Sequence, residues 1–191
     1  MLNAIPRWGD LISINSISIC QKCKEQIIRI NVSINGIYCL FEYNEFMKQY
    51  FYRYKFLKDI YLAHVFAKEI NHFFINEIKK HQDWIITPIP IHYQHLKERT
   101  FSQVEELLTT AFVRHQQVLK KISTKRQSQK SRDERLQTTK LFDVITNVKG
   151  ESFLVFDDIK TTGTTLKLAE EALMSSGAKE VRLIALAGHD R

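Results

Sequence analysis

A cluster of acidic and hydroxyl residues near the C-terminus has the composition of a sugar-phosphate site. Asp157 and Asp158 follow the apolar run SFLVF directly. A turn then supplies five small residues: Thr161, Thr162, Gly163, Thr164 and Thr165. Backbone N–H groups at such a turn and at a helix start bind phosphate, glycine lets the backbone approach an anion, and hydroxyls add donors. The pattern suits a sugar phosphate, with its phosphate in the turn and its diol on the two carboxylates.

The segments around this cluster predict a parallel sheet that would present it at one edge. Residues 152–156 form a short apolar run, typical of a strand buried on both faces. Residues 165–176 have the periodicity of an amphipathic helix that ends before Gly177. Residues 181–187 read as the next strand, which completes a right-handed βαβ unit. We place residues 157–164 in a polar turn beyond the carboxyl end of the first strand, where ligands bind in such sheets.

Earlier segments supply the remaining elements of a mainly parallel α/β sheet flanked by helices. The patterns predict strands at 37–43 and 84–86, and helices at 44–57, 59–80 and 102–114. A rigid turn is expected at Thr87, Pro88, Ile89 and Pro90, because two prolines at this spacing exclude a helix. Residues 1–34 lack clear periodicity. We therefore expect a short appendage over 1–34 and one domain over 35–191.

Composition limits the class of protein. The chain has 191 residues, enough for one self-sufficient domain. Three cysteines are too few for a disulfide scaffold. No apolar run approaches the roughly 18 residues of a membrane span, and polar residues interrupt the N-terminus, which argues against a secretory signal. We expect a cytoplasmic protein.

Most of the positive charge lies in one segment. The chain carries 28 basic and 21 acidic residues, a net charge of +7. Residues 120–140 hold eight basic and two acidic residues, and 8 − 2 gives a local net charge of +6. Such a segment attracts a small polyphosphate or a nucleic acid, although a solvated loop without a ligand has the same composition.

The run FLVFDDIKTTGTT resembles the phosphoribosyl pyrophosphate (PRPP) motif of type I phosphoribosyltransferases: an apolar strand, two acids, two free positions, then Thr-Thr-Gly-x-Thr. The resemblance implies that Asp157 and Asp158 contact the ribose hydroxyls and that residues 161–165 hold the 5′-phosphate. It also implies a pyrophosphate loop at residues 87–90. Magnesium would enter with PRPP.

Two further stretches resemble the ComF (competence protein F) branch of this superfamily. WIITPIPIHYQHLKERTFSQ, residues 84–103, is similar to its Pro-Val-Pro segment followed by Arg-Gly-Phe-Asn-Gln, with Thr100 and Ser102 at the Gly and Asn positions. Residues 37–59 resemble the start of the ComF domain, with Tyr43, Tyr54 and Lys55 at typical places. The resemblance assigns pyrophosphate or mobile-loop contacts to four residues: Arg99, Gln103, Lys125 and Arg132.

ComF proteins usually begin with a four-cysteine zinc finger, and this chain retains one half-site. Cys20 and Cys23 have the Cys-x2-Cys spacing, but no second pair follows and no histidine lies between residues 24 and 63. Cys39 lies in an apolar run, where a cysteine is usually a small buried residue. We expect a degenerate finger without metal. Zinc at Cys20 and Cys23, within one chain or shared between chains, stays an alternative.

Three functions fit these features. The first is a ComF-like protein of DNA uptake in natural competence, at the inner face of the membrane, binding PRPP and single-stranded DNA near a helicase on another chain. The second is an active phosphoribosyltransferase of nucleotide salvage or synthesis, in which a base displaces Mg-bound pyrophosphate with help from Arg99. The third is a module that senses PRPP without turnover, since a fold does not fix a function.

Overall fold

The computed structural model describes residues 19–122 and 141–189. Lys125 and Arg132, and with them most of the basic segment, lie outside the described residues. The elements in chain order are α1 (Gln21–Glu25), β1 (Arg29–Ile34), β2 (Ile37–Glu42), α2 (Glu45–Phe56), a 3-10 helix (Ile60–Val65), α3 (Ala67–Lys80), β3 (Trp84–Pro88), α4 (Tyr93–Arg99), α5 (Gln103–Thr110), β4 (Leu119–Lys121), β5 (Phe142–Val144), β6 (Ser152–Lys160), α6 (Thr164–Ser175) and β7 (Glu180–Gly188).

The main sheet has five strands in the order β1-β2-β7-β6-β3. Four strands run parallel to one another: β2, β7, β6 and β3. Strand β1 is antiparallel to β2. Strands β4 and β5 form a separate antiparallel pair. The mainly parallel sheet and the β6-α6-β7 unit confirm the predicted α/β class.

Alternation along β6 divides the core into two layers, because successive side chains of a strand point to opposite faces. Leu154 and Phe156 belong to the layer under α2, α3 and α5. Phe153 and Val155 belong to the layer under α6 and the β4-β5 pair. All four side chains are fully buried, as expected for a strand covered on both faces.

Strand β1 has no counterpart in the prediction for residues 1–34. It pairs with β2 through a tight hairpin whose turn residues, Asn35 and Gly36, have φ of 54° and 80°. Two consecutive positive φ angles are the requirement of a type I′ hairpin turn, and Asn-Gly is its preferred sequence. The predicted boundary between residues 34 and 35 falls inside this turn, and the two-part division of the chain stays a prediction.

The single helix predicted over 59–80 is wrong: a 3-10 helix and α3 meet at Phe66. A continuous α-helix would need the Leu62 carbonyl to accept from the N–H of residue 66. In the structure the Tyr50 hydroxyl donates to that carbonyl, at 3.0 Å. A tertiary hydrogen bond therefore accompanies the break in an otherwise periodic segment.

Three predicted boundaries also change. Strand β6 continues through Lys160, where a polar turn was expected, because β7 pairs with it as far as Lys160 opposite Gly188. Strand β3 includes Thr87 and Pro88, and it tolerates the proline because it lies at the edge of the sheet. Helix α5 ends at Thr110, and Phe112 just beyond it adopts a left-handed φ of 54°.

Candidate functional site

Parallel strands bring two of the predicted site segments, residues 87–90 and 157–165, to the carboxyl end of the sheet. The carboxyl ends of β3, β6 and β7 lie together, because the three strands are parallel neighbours. The loop of residues 161–163 leaves β6 at this edge and leads directly into α6. The position is the one at which open α/β sheets bind ligands.

The hydroxyls of the loop are available to a ligand. Thr161, Thr162 and Thr164 are exposed, and Thr165 is half-buried. The Thr162 and Thr164 hydroxyls share a hydrogen bond of 2.9 Å, and the Thr164 N–H also donates to the Thr162 hydroxyl at 3.3 Å. The loop thus orders its own donors at the start of a twelve-residue helix, where the dipole favours an anion.

Gly163 is required for two physical reasons. Its φ is +82°, a left-handed value that costs other residues free energy. A Cβ at this position would also lie 2.5 Å from Cδ1 of Ile37, at the start of β2. The close approach in the structure is therefore between the loop and β2, which β7 separates from β6 in the sheet.

Asp158 is buried and paired with a lysine. Its Oδ2 lies 2.6 Å from Nζ of Lys55 on α2, and the two side chains are 9% and 17% exposed. The Lys55 ammonium also lies 5.2 Å from the centre of the Phe51 ring. A buried carboxylate needs such a partner, because an unpaired buried charge is costly.

Asp157 has a different environment from its neighbour. Adjacent residues of β6 point to opposite faces, so Asp157 lies on the α6 side of the sheet and Asp158 on the α2 side. Burial, helped by the charge of Asp158, raises the pKa of Asp157 to about 7. Lys55, the Asp158 backbone N–H at 2.9 Å and Lys121 act in the opposite direction. A carboxyl with this pKa is partly protonated near neutral pH, so it both donates and accepts hydrogen bonds.

The segment predicted as a pyrophosphate loop is mostly buried. Thr87 and Ile89 are 5% exposed or less, Pro88 is also buried, and Pro90 is half-buried. The Ile89 N–H donates to the Phe156 carbonyl at 2.8 Å, which extends the β3-β6 pairing by one residue. This segment forms a wall beside the end of β6.

Arg99 and Gln103 contact each other. The Arg99 guanidinium donates to the Gln103 side-chain oxygen at 2.9 Å and lies over the Phe56 ring at 5.5 Å. Gln103 is buried, and its backbone carbonyl accepts from the Tyr54 hydroxyl at 2.9 Å. Burial raises the pKa of Tyr54, so its hydroxyl keeps the proton that it donates.

Sequence reasoning assigns no role to Lys55, which the structure places on Asp158. Two signals in the sequence point to it: its typical place in the stretch that resembles the ComF domain, and its position on α2. Met47 and Phe51 are buried, and Lys55 follows Phe51 by four residues, so it falls on the apolar side of the helix. A lysine at such a position predicts a buried anionic partner.

Zinc at Cys20 and Cys23 and magnesium at the threonine loop stay predictions. Cys20 and Cys23 adjoin at α1, whose first turn brings the Cys23 N–H to the Cys20 carbonyl at 3.0 Å. Residues 19–122 and 141–189 contain no group of three or more His, Cys, Asp or Glu residues that could hold a metal ion. Cys39 is fully buried, and burial raises its pKa to about 11, as expected of a small core residue.

A groove that the structure describes lies away from this end of the sheet. It has a volume of about 270 Å³ and runs between the β1-β2 hairpin and α3. The Arg29–Glu69 ion pair, at 2.8 Å, and the stacked rings of Tyr38 and Phe73 line it. It contains none of the predicted site residues. In residues 19–122 and 141–189 no helix is long and apolar enough to cross a membrane.

Comparison with known proteins first identifies the class of fold. Residues 99–191 match the phosphoribosyl transferase domain family. This match and the parallel β3-β6-β7 sheet assign a type I phosphoribosyltransferase-like fold. Among solved structures, a hypoxanthine phosphoribosyltransferase from Staphylococcus aureus aligns at 14% identity and a TM-score of 0.40, over 69% of this chain and 62% of that one. A score this low adds no support to the assignment.

Two curated relatives identify the family within this class of fold. Competence protein ComFC of Streptococcus pneumoniae is 36% identical over 165 residues, which are 86% of this chain and 70% of the relative. Competence protein ComFC of Bacillus subtilis is 27% identical over 163 residues, 84% of this chain and 68% of the relative. The chain belongs to the ComF family, and the predicted resemblance is confirmed.

Proposed function

We propose that this protein binds PRPP in a complex with Mg²⁺ at residues 157–165 and acts in the uptake of DNA during natural competence. The observation that carries the binding proposal is the position of the exposed threonine loop. The loop directly follows β6, which carries both carboxylates, and leads into α6, so one ligand with a phosphate and a sugar diol would contact both groups of partners.

Magnesium fits this site as an ion carried by the ligand. Mg²⁺ usually keeps several waters and binds through one or two carboxylates together with substrate phosphates. The described residues offer two carboxylates at the end of β6, and one of them is already paired with Lys55. The ion would neutralise phosphate charge, while Asp157 and Asp158 accept hydrogen bonds from the ribose hydroxyls.

Replacing both carboxylates with amides tests the proposal. PRPP with Mg²⁺ is titrated calorimetrically into the wild type and into D157N/D158N. We expect the dissociation constant to rise about tenfold to a hundredfold, the value of losing a hydrogen bond to a charged group. The exposed Asp83, in the turn before β3, provides a control, because D83N should leave the affinity unchanged. Equal affinity in the wild type and the double variant would disprove this site.

The role in DNA uptake is supported by the two ComFC relatives and by the charge of residues 120–140. We propose that this segment contacts single-stranded DNA and that the protein acts beside a helicase on another chain. Cations that pair with phosphates release counterions, which makes the affinity depend on salt.

Neutralising two cations of the segment tests the contact with DNA. In K125Q/R132Q, the slope of log affinity against log salt should become shallower by about 1.4, from roughly 0.7 per phosphate contact in a single strand. Fluorescence anisotropy with a labelled oligonucleotide measures the slope. K149Q/K179Q changes two exposed lysines near the amino ends of β6 and β7 and should leave the slope unchanged. A slope in K125Q/R132Q equal to that of the wild type would exclude the segment as the contact.

A further inference from the structure

The last turn of α2 joins parts of the site that lie far apart in the sequence. Lys55 pairs with Asp158 of β6 at 2.6 Å. Its neighbour Tyr54 donates to the carbonyl of Gln103, and the ring of Phe56 lies under the Arg99 guanidinium. Three consecutive residues of one helix therefore contact the carboxylate end of the site and the Arg99–Gln103 pair.

The burial of Lys55 needs an explanation beyond stability. Replacing a buried ion pair with apolar side chains of similar size is often neutral or stabilising, so such a pair is weak evidence of a structural role. Here the pair stands near the end of β6, and Asp158 precedes the first threonine of the loop by three residues. Lysine has a flexible four-carbon stem, which allows its ammonium to move between partners without moving the helix.

The charge of the ligand is a second reason to expect that the Lys55–Asp158 pair has a role in binding. PRPP carries a phosphate and a pyrophosphate, and two free carboxylates would repel it. The Lys55 ammonium balances the charge of Asp158 in the structure. Burial raises the pKa of Asp157 to about 7, which reduces the remaining negative charge near neutral pH. The end of β6 is thus less negative than the sequence Asp-Asp suggests.

We propose that Lys55 is a ligand-binding residue that exchanges partners when the site fills. In the free protein its ammonium donates to Asp158. A ribose hydroxyl then replaces the ammonium as a donor to this carboxylate, and the ammonium moves to a phosphate oxygen of the ligand. The inference rests on the proposed binding of PRPP and adds a residue outside the family's PRPP motif to the site.

The decisive measurement is PRPP affinity in two backgrounds, with titration calorimetry in the presence of Mg²⁺. We expect K55M to weaken binding about tenfold to a hundredfold, the value of a charge-assisted hydrogen bond. K55R keeps the charge and should recover part of the loss. K48M removes an exposed lysine of the same helix and should bind as the wild type does.

The D158N background separates contact with the ligand from positioning of Asp158. If Lys55 reaches a phosphate, K55M/D158N should bind PRPP about tenfold more weakly than D158N alone. If Lys55 only holds Asp158, the two variants should bind equally, and this result would overturn the proposal. Neither D158N nor K55M/D158N leaves the Asp158 carboxylate buried without its lysine partner. The comparison therefore remains valid if K55M does not fold.

Failure of the inference is distinguishable from failure of the proposed function. Absence of PRPP binding to folded wild-type protein would reject the proposed function and the role of Lys55 together. Binding to the wild type, with equal affinities in D158N and K55M/D158N, would reject the role of Lys55 alone.

Discussion

Replacing Gly163 with alanine is expected to lower the free energy of unfolding by about 2–5 kcal/mol, the sum of a left-handed residue and an overpacked contact. The backbone at this position has a φ of +82°. The added methyl group would stand 2.5 Å from Cδ1 of the buried Ile37, so the end of the Ile37 side chain, the loop or the start of β2 must shift. Urea denaturation followed by circular dichroism measures the loss.

Gly150 provides a matched control for the free-energy cost of the left-handed backbone conformation alone. Its φ is +79°, but a Cβ there would meet no atom within 4 Å, so G150A should cost only about 1 kcal/mol. Removing the opposing methyl group with I37V should recover part of the loss in G163A, although I37V alone costs about 0.5–1.5 kcal/mol. Equal losses in G163A and G150A would show that the contact with Ile37 is unimportant.

The elements that were predicted correctly are those determined by residues close together in the sequence. The apolar run of residues 152–156, the amphipathic pattern of α6 and Gly177 each act within a few residues, and the β6-α6-β7 unit follows from them. The β1-β2 hairpin also has a local signal, the dipeptide Asn35-Gly36, whose two positive φ angles suit a tight hairpin turn.

The elements predicted wrongly depend on partners distant in the sequence. The Tyr50 hydroxyl takes the Leu62 carbonyl, which no pattern within residues 59–80 reveals. Strand β6 runs four residues past Phe156 because β7 continues beside it as far as Gly188. Pairing across 28 residues decides that boundary, and the polar character of Asp157 and Asp158 suggested the opposite.

The candidate site also combines features with local signals in the sequence and features that depend on distant partners. Its loop and carboxylates were predicted by residue type and spacing, because the motif is contiguous. The pairing of Lys55 with Asp158 spans 103 residues, from 158 − 55, and depends on how α2 packs against the sheet. The different faces of Asp157 and Asp158 follow from the longer β6, which makes both residues part of a strand.

The pH dependence of stability should change when Asp157 is replaced with asparagine. The pKa of Asp157 is about 7 in the folded protein, raised from 3.8. Between these values the folded chain holds a proton that the unfolded chain has lost, so this carboxyl reduces stability as pH rises from about 4 to 7 and has a constant effect above 7. D157N lacks this penalty, and relative to the wild type it should gain at most about 4 kcal/mol over that interval, at 1.36 kcal/mol for each pKa unit.

Urea denaturation of the two proteins at pH 4.5, 6 and 8 measures this difference, with D83N as a control for an exposed carboxylate. A stability difference between D157N and the wild type that stays constant with pH would show that Asp157 titrates normally. The expected result has a functional consequence, because D157N should be more stable than the wild type at pH 8 and should bind PRPP less tightly. We infer that a carboxyl that costs stability at this place, four residues before the threonine loop, serves the proposed binding of PRPP rather than the fold.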